Sequence, residues 1–206
     1  VTNSRVDGLE ARFNDYEAGS FSTTTSASFS VDMAIGAVDG NANEKLVTAY
    51  GYQIDLTSSF TGEDALSVAI DAGQGAGSLG ELDLNSGGDA LTVDGITYSF
   101  PVGEKLSVLV GDSTNGSALY STACVYGGFT NTLDDCGNYT SAFTSASDGA
   151  SLSASYDIGN GFTGAIGFSG EGTGTKGLMT KESADLYGAQ IAYSTDNYGA
   201  SVTYAD

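Results

Sequence analysis

Strict alternation of large apolar residues with small or acidic ones is the feature that most constrains the fold of this chain. The stretch YGYQIDLTSSFTGEDALSVAIDAG, residues 50–73, holds two such runs. One set of alternate positions carries mainly Tyr, Ile, Leu and Val, and the positions between carry mainly Gly, Gln, Asp, Ser and Ala. A period of two predicts β-strands with two different faces. A soluble sheet exposes Lys, Glu, Thr and Arg, so the pattern raises the question of which solvent each face meets.

Nine strands are predicted by this alternation, and no helical pattern interrupts them. The fourth, ALTVDGITYSF, changes phase after Val93, which predicts a β-bulge around Asp94 and Gly95. The connections TSSFTGED, PVGEK, GNG and TDN are short, whereas those at roughly 73–89, 111–149 and 170–183 are long. Short turns at one end and long loops at the other are typical of outer-membrane barrels.

The predicted fold class is therefore all-β, an antiparallel up-and-down transmembrane barrel. In such a barrel the large apolar residues meet lipid, and the Ser, Thr, Gly, Gln and Asp residues line a hydrated interior. The alternative is a soluble β-sandwich in which the large residues form the core. In a barrel, aromatic residues near the strand ends would form interfacial girdles: Tyr98, Phe100, Phe162, Tyr193, Tyr198 and Tyr204.

The beginning of the chain follows a different period. Val6, Leu9, Phe13 and Tyr16 recur at heptad-like spacing, and the pattern ends at Gly19. This predicts a short α-helix before the strands. Two heptads are too short to form a coiled coil alone, so the helix is either the end of a longer stalk or packs on the body of the protein.

Composition and charge exclude several classes of function. Six Lys and Arg residues against 26 Asp and Glu residues give a net charge of -20, which repels nucleic acid and anionic lipid head groups. The chain has no His, so Ser-His and Cys-His catalysis are excluded, and no enzyme activity, cofactor or metal site is predicted.

Cys124 and Cys136 bracket VYGGFTNTLDD, a spacing that favours a disulfide in an oxidising compartment over two free thiols.

Several ordered stretches resemble the major outer-membrane porins of cyanobacteria, a family related to the carbohydrate-selective porins. They are RVDGLEARFNDYEAGSFSTTT, FTGEDAL and ALTVDGITYSFPVGEKLSV, with a looser similarity through SLSASYDIGNGFTGAIGFSG to the end. The resemblance implies a periplasmic coiled coil followed by a sixteen-stranded, trimeric barrel. It assigns residues 1–19 to the end of the periplasmic coiled-coil helix and residues 20–206 to the amino-terminal portion of the barrel.

Two departures from the family pattern modify this expectation. The amino-terminal surface-layer homology domain of the family is not in the sequence, so wall anchoring cannot be assigned to these residues. Nine strands is an odd number, and the last residues, Tyr204 to Asp206, lack the terminal aromatic that outer-membrane insertion usually uses. We therefore expect the 206 residues to be the amino-terminal half of a longer barrel. Closure of one sheet by several copies is the alternative.

The expected function is passive diffusion of ions and small hydrophilic solutes across the outer membrane. The 111–149 segment would be the third external loop, which in many porins folds into the lumen. Its carboxylates, without any Lys or Arg, predict a negative constriction that favours cations and small neutral solutes, unless they remain solvated outside the lumen. These constriction candidates are Asp112, Asp134, Asp135 and Asp148, and the predicted pore-lining residues are Asp32, Gln53, Asp55, Asp71, Asp157 and Gln190.

The expected partners are outer-membrane lipid, inorganic ions, small solutes and further copies in a homotrimer, with no nucleic acid. A hypothesis from another class is a secreted, acidic, β-rich structural protein, such as a surface-layer, adhesin or filament subunit. Neighbouring copies would then complete its sheets. Lipid exposure of the apolar face predicts detergent-dependent solubility, whereas a subunit interface predicts large soluble assemblies.

Overall fold

The computed structural model describes residues 24–40, 44–75, 79, 82, 84–85, 88–121, 137–139, 149–172 and 174–206. These residues form one antiparallel sheet of nine strands, in which each strand pairs with its sequence neighbours. The strands are β1 (Thr25–Gly36), β2 (Val47–Ser58), β3 (Ala65–Gly73), β4 (Gly88–Val102), β5 (Leu106–Thr114), β6 (Gly149–Gly159), β7 (Phe162–Gly170), β8 (Asp185–Ser194) and β9 (Gly199–Ala205). The all-β prediction, the nine strands and their order are confirmed.

The sheet is open in the part of the chain that the structure describes. Strands β1 and β9 are its two edges, and they do not pair with each other. The predicted closure into a barrel is therefore not confirmed. The predicted helix over residues 1–19 lies outside the described residues.

The connections separate by length as predicted. Residues 59–64, 103–105, 160–161 and 195–198 form the short turns, and all of them lie at one end of the antiparallel sheet, here called the short-turn end. Residues 37–46, 74–87, 115–148 and 171–184 connect the strands at the opposite, long-loop end. Any site built from the long connections therefore lies at one end of the sheet.

The predicted bulge in β4 is confirmed. Ala69 pairs with Gly95 and the next residue, Ile70, pairs with Val93, so Asp94 is the extra residue. A bulge of this kind restores the alternation of the two faces after a change of phase. This explains why apolar positions 91 and 93 and apolar positions 96, 98 and 100 all remain on one side of the sheet.

The register places large apolar side chains on one face of all nine strands, here called the apolar face. On β1 this face carries Phe29, Val31, Met33 and Ile35, which are 66%, 60%, 77% and 69% exposed. Similar exposed residues continue across the sheet to Val202 and to Tyr204 on β9. The opposite, polar face consists mainly of Ser, Thr, Gly and Ala. Described protein segments cover parts of the polar face, as detailed below.

Aromatic side chains cluster at both ends of the apolar face. At the short-turn end, the ring centroids of Phe162 and Tyr193 are 4.6 Å apart, and those of Tyr193 and Tyr198 are 6.0 Å apart. At the long-loop end, Phe168 and Tyr187 have centroids 5.1 Å apart. Five of the six predicted girdle residues lie at or near the short-turn end, and Tyr204, at the end of β9, lies at the other.

The β2–β3 turn is organised by a single buried carboxylate, that of Asp64. Its Oδ1 atom accepts hydrogen bonds from the backbone N–H groups of Phe60 and Thr61, at 2.9 and 2.7 Å. The hydroxyls of Ser59 and Thr61 also donate to it, and Oδ2 accepts from the hydroxyl of Tyr98 at 2.8 Å. The Thr61 backbone hydrogen bond, supported by the hydroxyl donors, holds the pKa of Asp64 well below its usual range.

Replacing Asp64 by Asn removes the charge and preserves the shape of the side chain. Because the pKa of Asp64 is lower in the folded protein than the value of about 3.9 in an unfolded chain, the charged form stabilises the fold at neutral pH. This contribution decreases as the pH falls below about 4 towards the lowered pKa. We expect Asp64→Asn to unfold at a lower temperature than the wild type at pH 7, and the difference to narrow in acid.

Thermal unfolding followed by β-sheet circular dichroism at neutral and acidic pH measures this effect. The matched control is Glu63→Gln, an exposed carboxylate in the same turn. An equal loss of thermal stability in both variants would contradict the role given to Asp64.

Candidate functional site: the polar face and its loops

The polar face carries all six predicted pore-lining residues. Pairing across the sheet sets Gln53 opposite both Ser30 and Asp71, and sets Gln190 opposite both Ala165 and Thr203. The register also places the other predicted residues on this face: Asp32 opposite Gly51, Asp55 opposite Ser28 and Asp157 opposite Thr163. The alternation in the sequence therefore identifies the common face correctly.

The carboxylates of this face have neutral hydrogen-bond donors. Asp55 accepts from the side-chain amide of Gln53 at 2.8 Å and from the hydroxyl of Ser28 at 3.3 Å. Asp71 accepts from the hydroxyl of Thr92 at 2.7 Å. The nine strands contain no Lys or Arg, so no strand residue neutralises these charges. Carboxylates without basic neighbours attract cations and repel anions where they reach the surface, as the exposed Asp32 and Asp157 do.

The long connection after β5 folds back onto the polar face. The backbone N–H of Gly116 donates to the hydroxyl of Ser169 at 2.7 Å, and that of Leu119 donates to the hydroxyl of Ser153 at 3.3 Å. Both serines are completely buried. Serine hydroxyls on β6 and β7 thus satisfy backbone donors of a segment that has left the sheet.

Glycines on the polar face let this segment approach the strands closely. A Cβ atom at Gly167 would lie 1.9 Å from the carbonyl oxygen of Gly116, and one at Gly188 would lie 2.3 Å from Cδ1 of Tyr139. Real Cβ atoms do not tolerate such distances, so any larger residue at either position would displace the loop. The small residues of β7 and β8 are therefore a packing requirement of the loop.

Two tyrosines fill the space between this loop and the sheet. Tyr120 and Tyr139 are 7% and 1% exposed, and their rings meet edge to face with centroids 5.7 Å apart. The hydroxyls of Tyr139 and Ser169 are 2.5 Å apart. Burial raises the pKa of both phenols, so both are neutral at physiological pH. The loop thus adds uncharged bulk to the polar face.

Gln190 on β8 binds both flanks of residues 122–136. Its Oε1 accepts from the backbone N–H of Ser121 at 2.7 Å. Its Nε2 lies 2.7 Å from the carbonyl oxygen of Gly137, 3.1 Å from that of Ser121 and 3.0 Å from the hydroxyl of Thr203. An amide nitrogen has two protons for these three acceptors. Gln190 therefore holds the two ends of this segment close to each other, because its one side chain binds both.

The structure places only one of the predicted constriction carboxylates, and its position corrects the prediction. Strand β5 continues to Thr114, and Asp112 pairs with Ile96 at the long-loop end of the apolar face, with its Oδ1 accepting the N–H of Ser113 at 2.9 Å. The sequence GDST contains no apolar residue after Gly111, so the end of the strand was predicted too early. Asp134, Asp135, Asp148, Cys124 and Cys136 lie outside the described residues.

A second connection, after β3, also packs on the polar face. A Cβ atom at Gly36 would lie 3.2 Å from the side chain of Leu79, and one at Gly73 would lie 2.2 Å from the carbonyl oxygen of Asn85. The side-chain amide of Asn85 donates to the carbonyl oxygen of Tyr52 at 3.0 Å. The described residues of this connection cover the long-loop end of the β1–β3 part of the face, as residues 115–121 and 137–139 cover the β6–β9 part.

Apart from Gln190, which was predicted as a pore-lining residue, the residues that hold the two loops were missed by sequence reasoning. Ser153, Ser169 and Thr203 appear in the sequence as ordinary polar positions of alternating strands. The signal that could have found the covered regions is the clustering of Gly on the polar face of neighbouring strands, as at positions 167 and 188. Such a row leaves room for another backbone.

In the described part of the chain, neither a cluster of metal-ligating side chains nor a membrane-spanning helix adds a further site. No group of three or more Cys, Asp or Glu side chains there could hold a metal ion. The described residues also contain no helix that is long and apolar enough to cross a bilayer.

Replacing Gln190 by Leu removes the hydrogen bonds to both loop flanks at similar side-chain volume. Because the N–H of Ser121 loses its partner, and the carbonyl of Gly137 keeps only the hydroxyl of Thr203 at 2.9 Å, we expect a cost of about 1 to 3 kcal/mol. The backbone amide of Ser121 should then exchange its hydrogen at least roughly tenfold faster. Hydrogen exchange read by mass spectrometry measures this.

The control is Gln53→Leu, on the same face, where the amide binds Asp55 within its own strand. Unchanged exchange at Ser121 in Gln190→Leu would refute the role of Gln190. Faster exchange in both variants would indicate a general loosening of the sheet instead.

The chain is similar to part of an uncharacterized protein from Nostoc sp. (strain PCC 7120). The two are 34% identical over 120 residues, which is 48% of the present chain and 21% of the relative, so the chain matches about a fifth of the relative's length. No protein-family model matches the chain. No solved structure matches it either. The functional conclusion therefore rests on the geometry of the sheet and its loops.

Proposed function

We propose that the chain is the amino-terminal portion of an outer-membrane porin that allows passive diffusion of ions and small hydrophilic solutes. The observation that carries this proposal is the division of the sheet into two faces. Large apolar side chains are exposed across one face, and loops, buried tyrosines and carboxylates lie on the other. A barrel in a bilayer gives both faces a suitable environment, with lipid outside and water inside.

The choice of a bilayer over a soluble sandwich is supported by which face is covered. In a sandwich, the large apolar residues pack inward and the small polar residues face water. Among the described residues, the largest fully buried side chains are those of Tyr139, Ser153 and Ser169, which belong to the polar face and its loop. Exposed apolar surfaces of this extent are rare on soluble monomers. The aromatic clusters at both ends of the apolar face suit the two membrane interfaces.

The open edges support completion by further strands of a longer chain. β1 and β9 are both odd-numbered strands of an up-and-down sheet, so they run in the same direction. Backbone groups at both edges need partners in lipid, and antiparallel pairing at both edges requires an odd number of added strands. The total number of strands is then even, and the sixteen strands implied by the resemblance satisfy this condition. A copy in the same membrane orientation would instead bring its β1 parallel to β9.

The 111–149 segment is proposed to narrow the pore. Its described parts, residues 115–121 and 137–139, lie on the polar face of β6–β9, where serine hydroxyls and Gln190 bind them. The Cys124–Cys136 disulfide stays part of this proposal, because it would close the segment whose two flanks Gln190 binds. Asp134, Asp135 and Asp148 are proposed to contribute negative charge there.

Cation preference follows from the charge of the strands. Asp32, Asp55, Asp71 and Asp157 share the polar face, and no Lys or Arg lies in any strand. A pore with this lining would concentrate cations and admit small neutral solutes, while anions would be repelled. The long-loop end is proposed to be external, with residues 1–19 ending a periplasmic coiled coil and three chains forming a trimer.

A structural subunit is the second candidate, and the unpaired edges favour it. Copies related by a two-fold axis perpendicular to the sheet could pair β1 with β1, or β9 with β9, in the antiparallel sense. Their long loops would then lie at opposite ends. This arrangement suits a soluble layer or filament and is incompatible with one orientation in a membrane.

Conductance in a planar bilayer tests the pore directly. The full-length protein that carries this chain should give discrete single-channel steps, and a salt gradient should give a reversal potential of the sign expected for cation preference. Asp32→Asn combined with Asp157→Asn removes two exposed carboxylates of the polar face and should move the reversal potential towards zero. Converting Asp134 and Asp135 to Lys should move the reversal potential further in the same direction.

The control for selectivity is Asp196→Asn, in the short β8–β9 turn outside the strands. Correctly folded protein without conductance steps would favour the structural subunit. Conductance with a selectivity that none of these variants changes would retain the pore and remove the acidic lining.

The two faces can be distinguished by fluorescence, because these 206 residues contain no Trp. Val110 and Ser107 are exposed on opposite faces of β5. In vesicles, the Val110→Trp variant should be quenched by brominated acyl chains, and the Ser107→Trp variant should be quenched by aqueous iodide. Any Trp elsewhere in the full-length protein is first replaced by Phe. Quenching of both variants by iodide alone would contradict a lipid-facing apolar face.

A further inference from the structure

Two carboxylates are buried in the part of the chain that the structure describes, those of Asp64 and Asp71, which are 5% and 9% exposed. They differ in their hydrogen bonds. Five N–H and O–H groups donate to Asp64. Among the described residues, Asp71 has a single donor, the hydroxyl of Thr92, which binds its Oδ1 at 2.7 Å. A buried carboxylate is costly unless hydrogen bonds or positive charge compensate it, so Asp71 lacks the compensation that Asp64 has.

The neighbour of Asp71 on β2 adds an acceptor instead of a donor. Antiparallel pairing places Gln53 directly opposite Asp71 on the polar face. The side-chain nitrogen of Gln53 donates to Asp55 in its own strand at 2.8 Å, so the atom of this amide that stays without a partner in the described structure is Oε1. Asp55 itself is a diagonal neighbour of Asp71, which in antiparallel geometry corresponds to about 7 to 8 Å. Asp71 therefore lies among oxygen atoms.

The connection after β3 encloses this group of oxygen atoms. Gly73 follows Asp71 by two residues on the same face, and a Cβ atom there would lie 2.2 Å from the backbone carbonyl oxygen of Asn85. The backbone N–H of Gly75 donates to the same carbonyl at 2.8 Å. The connection is thus held against the strand beside Asp71. A carboxylate in this position is largely shielded from bulk water.

No basic side chain of the described structure compensates Asp71. The described lysines all lie in connections between strands: Lys45, Lys105, Lys176 and Lys181. None of them forms an ion pair with Asp71, and Lys176 pairs with Glu171 at 2.5 Å. The positive charge that Asp71 needs therefore does not come from the described part of the protein.

We infer that Asp71 binds a small inorganic cation, with the hydroxyl oxygen of Thr92 and the amide oxygen of Gln53 as further ligands. Carboxylate and amide oxygens are ligands of Ca²⁺, which completes its shell of about six to eight oxygens with water. The site differs from a cluster of three or more carboxylates, of which the described residues contain none. One carboxylate predicts weak binding, with a Kd of about 1 mM.

This inference goes beyond the proposed function, because it does not require the apolar face to meet lipid. The ligand is defined by its charge, its small size and its preference for oxygen. Both Ca²⁺ and Na⁺ have these properties, and the test compares them.

Hydrogen exchange at the backbone N–H of Gly75 reports on the site, because its hydrogen bond holds the connection that encloses Asp71. The full-length protein is kept folded in detergent with N-methylglucamine chloride as the only salt. CaCl₂ or NaCl then replaces part of this salt at constant ionic strength. A bound cation stabilises the closed form by a factor of 1 + [cation]/Kd, so about 10 mM Ca²⁺ should slow exchange at Gly75 by about tenfold. Mass spectrometry of peptides that contain Gly75 measures this.

Asp71→Asn keeps the shape of the side chain, removes its charge and should abolish the slowing. The matched control is Asp157→Asn, which removes an exposed carboxylate from the same face and should leave the slowing intact. If Asp71→Asn does not fold, Asp71→Ser repeats the test with a smaller neutral side chain. Slowing by Ca²⁺ alone supports a site for divalent cations, and slowing by both salts supports a less selective site.

Two results would overturn the inference. Equal slowing in the wild type and in the Asp71 variant would show that the cation only screens the net charge of -20. Exchange in the wild type that neither salt changes would show that water, or a residue elsewhere in the full-length protein, compensates Asp71. Neither result depends on whether the protein conducts ions in a bilayer, so the site and the proposed function can fail separately.

Discussion

The antiparallel hydrogen-bond register of the sheet is the constraint on which the rest of the structure depends. Each strand pairs with its sequence neighbours, so a residue that points to one side in β1 has partners on the same side through to β9. A shift of one residue in any pair would mix the two faces. The bulge at Asp94 preserves the register where the sequence itself changes phase. The apolar face, the polar face and everything bound to them follow from this continuity.

Because the polar face consists of small residues, it can accept further protein segments as well as water. Where Gly and Ser lie side by side on β6, β7 and β8, the loop after β5 contacts strand backbone directly, and serine hydroxyls take up its N–H groups. Where Asp and Thr replace them, the face keeps its charge. The same face thus binds a loop in one region and carries exposed carboxylates in another. This combination supports the proposal of a constricted, cation-preferring pore.

Much of the fold was predictable because β alternation is a local property. The positions of the nine strands, the short and long connections, the bulge and the common face of Asp32, Gln53, Asp55, Asp71, Asp157 and Gln190 all follow from spacing along the chain. The end of β5 was not predictable, since Asp112 and its polar neighbours continue the pairing with β4 without any apolar signal. The contacts of Gln190 with Ser121 and Gly137 span 69 and 53 residues, which no local pattern encodes.

The sequence by itself determined that the chain forms strands with one apolar and one small or polar face, and that it carries excess negative charge. These properties depend on residue identity and on a period of two, and they need no knowledge of distant contacts. Only the tertiary structure decided which face is covered, because packing depends on the backbone of one segment fitting the glycines of another.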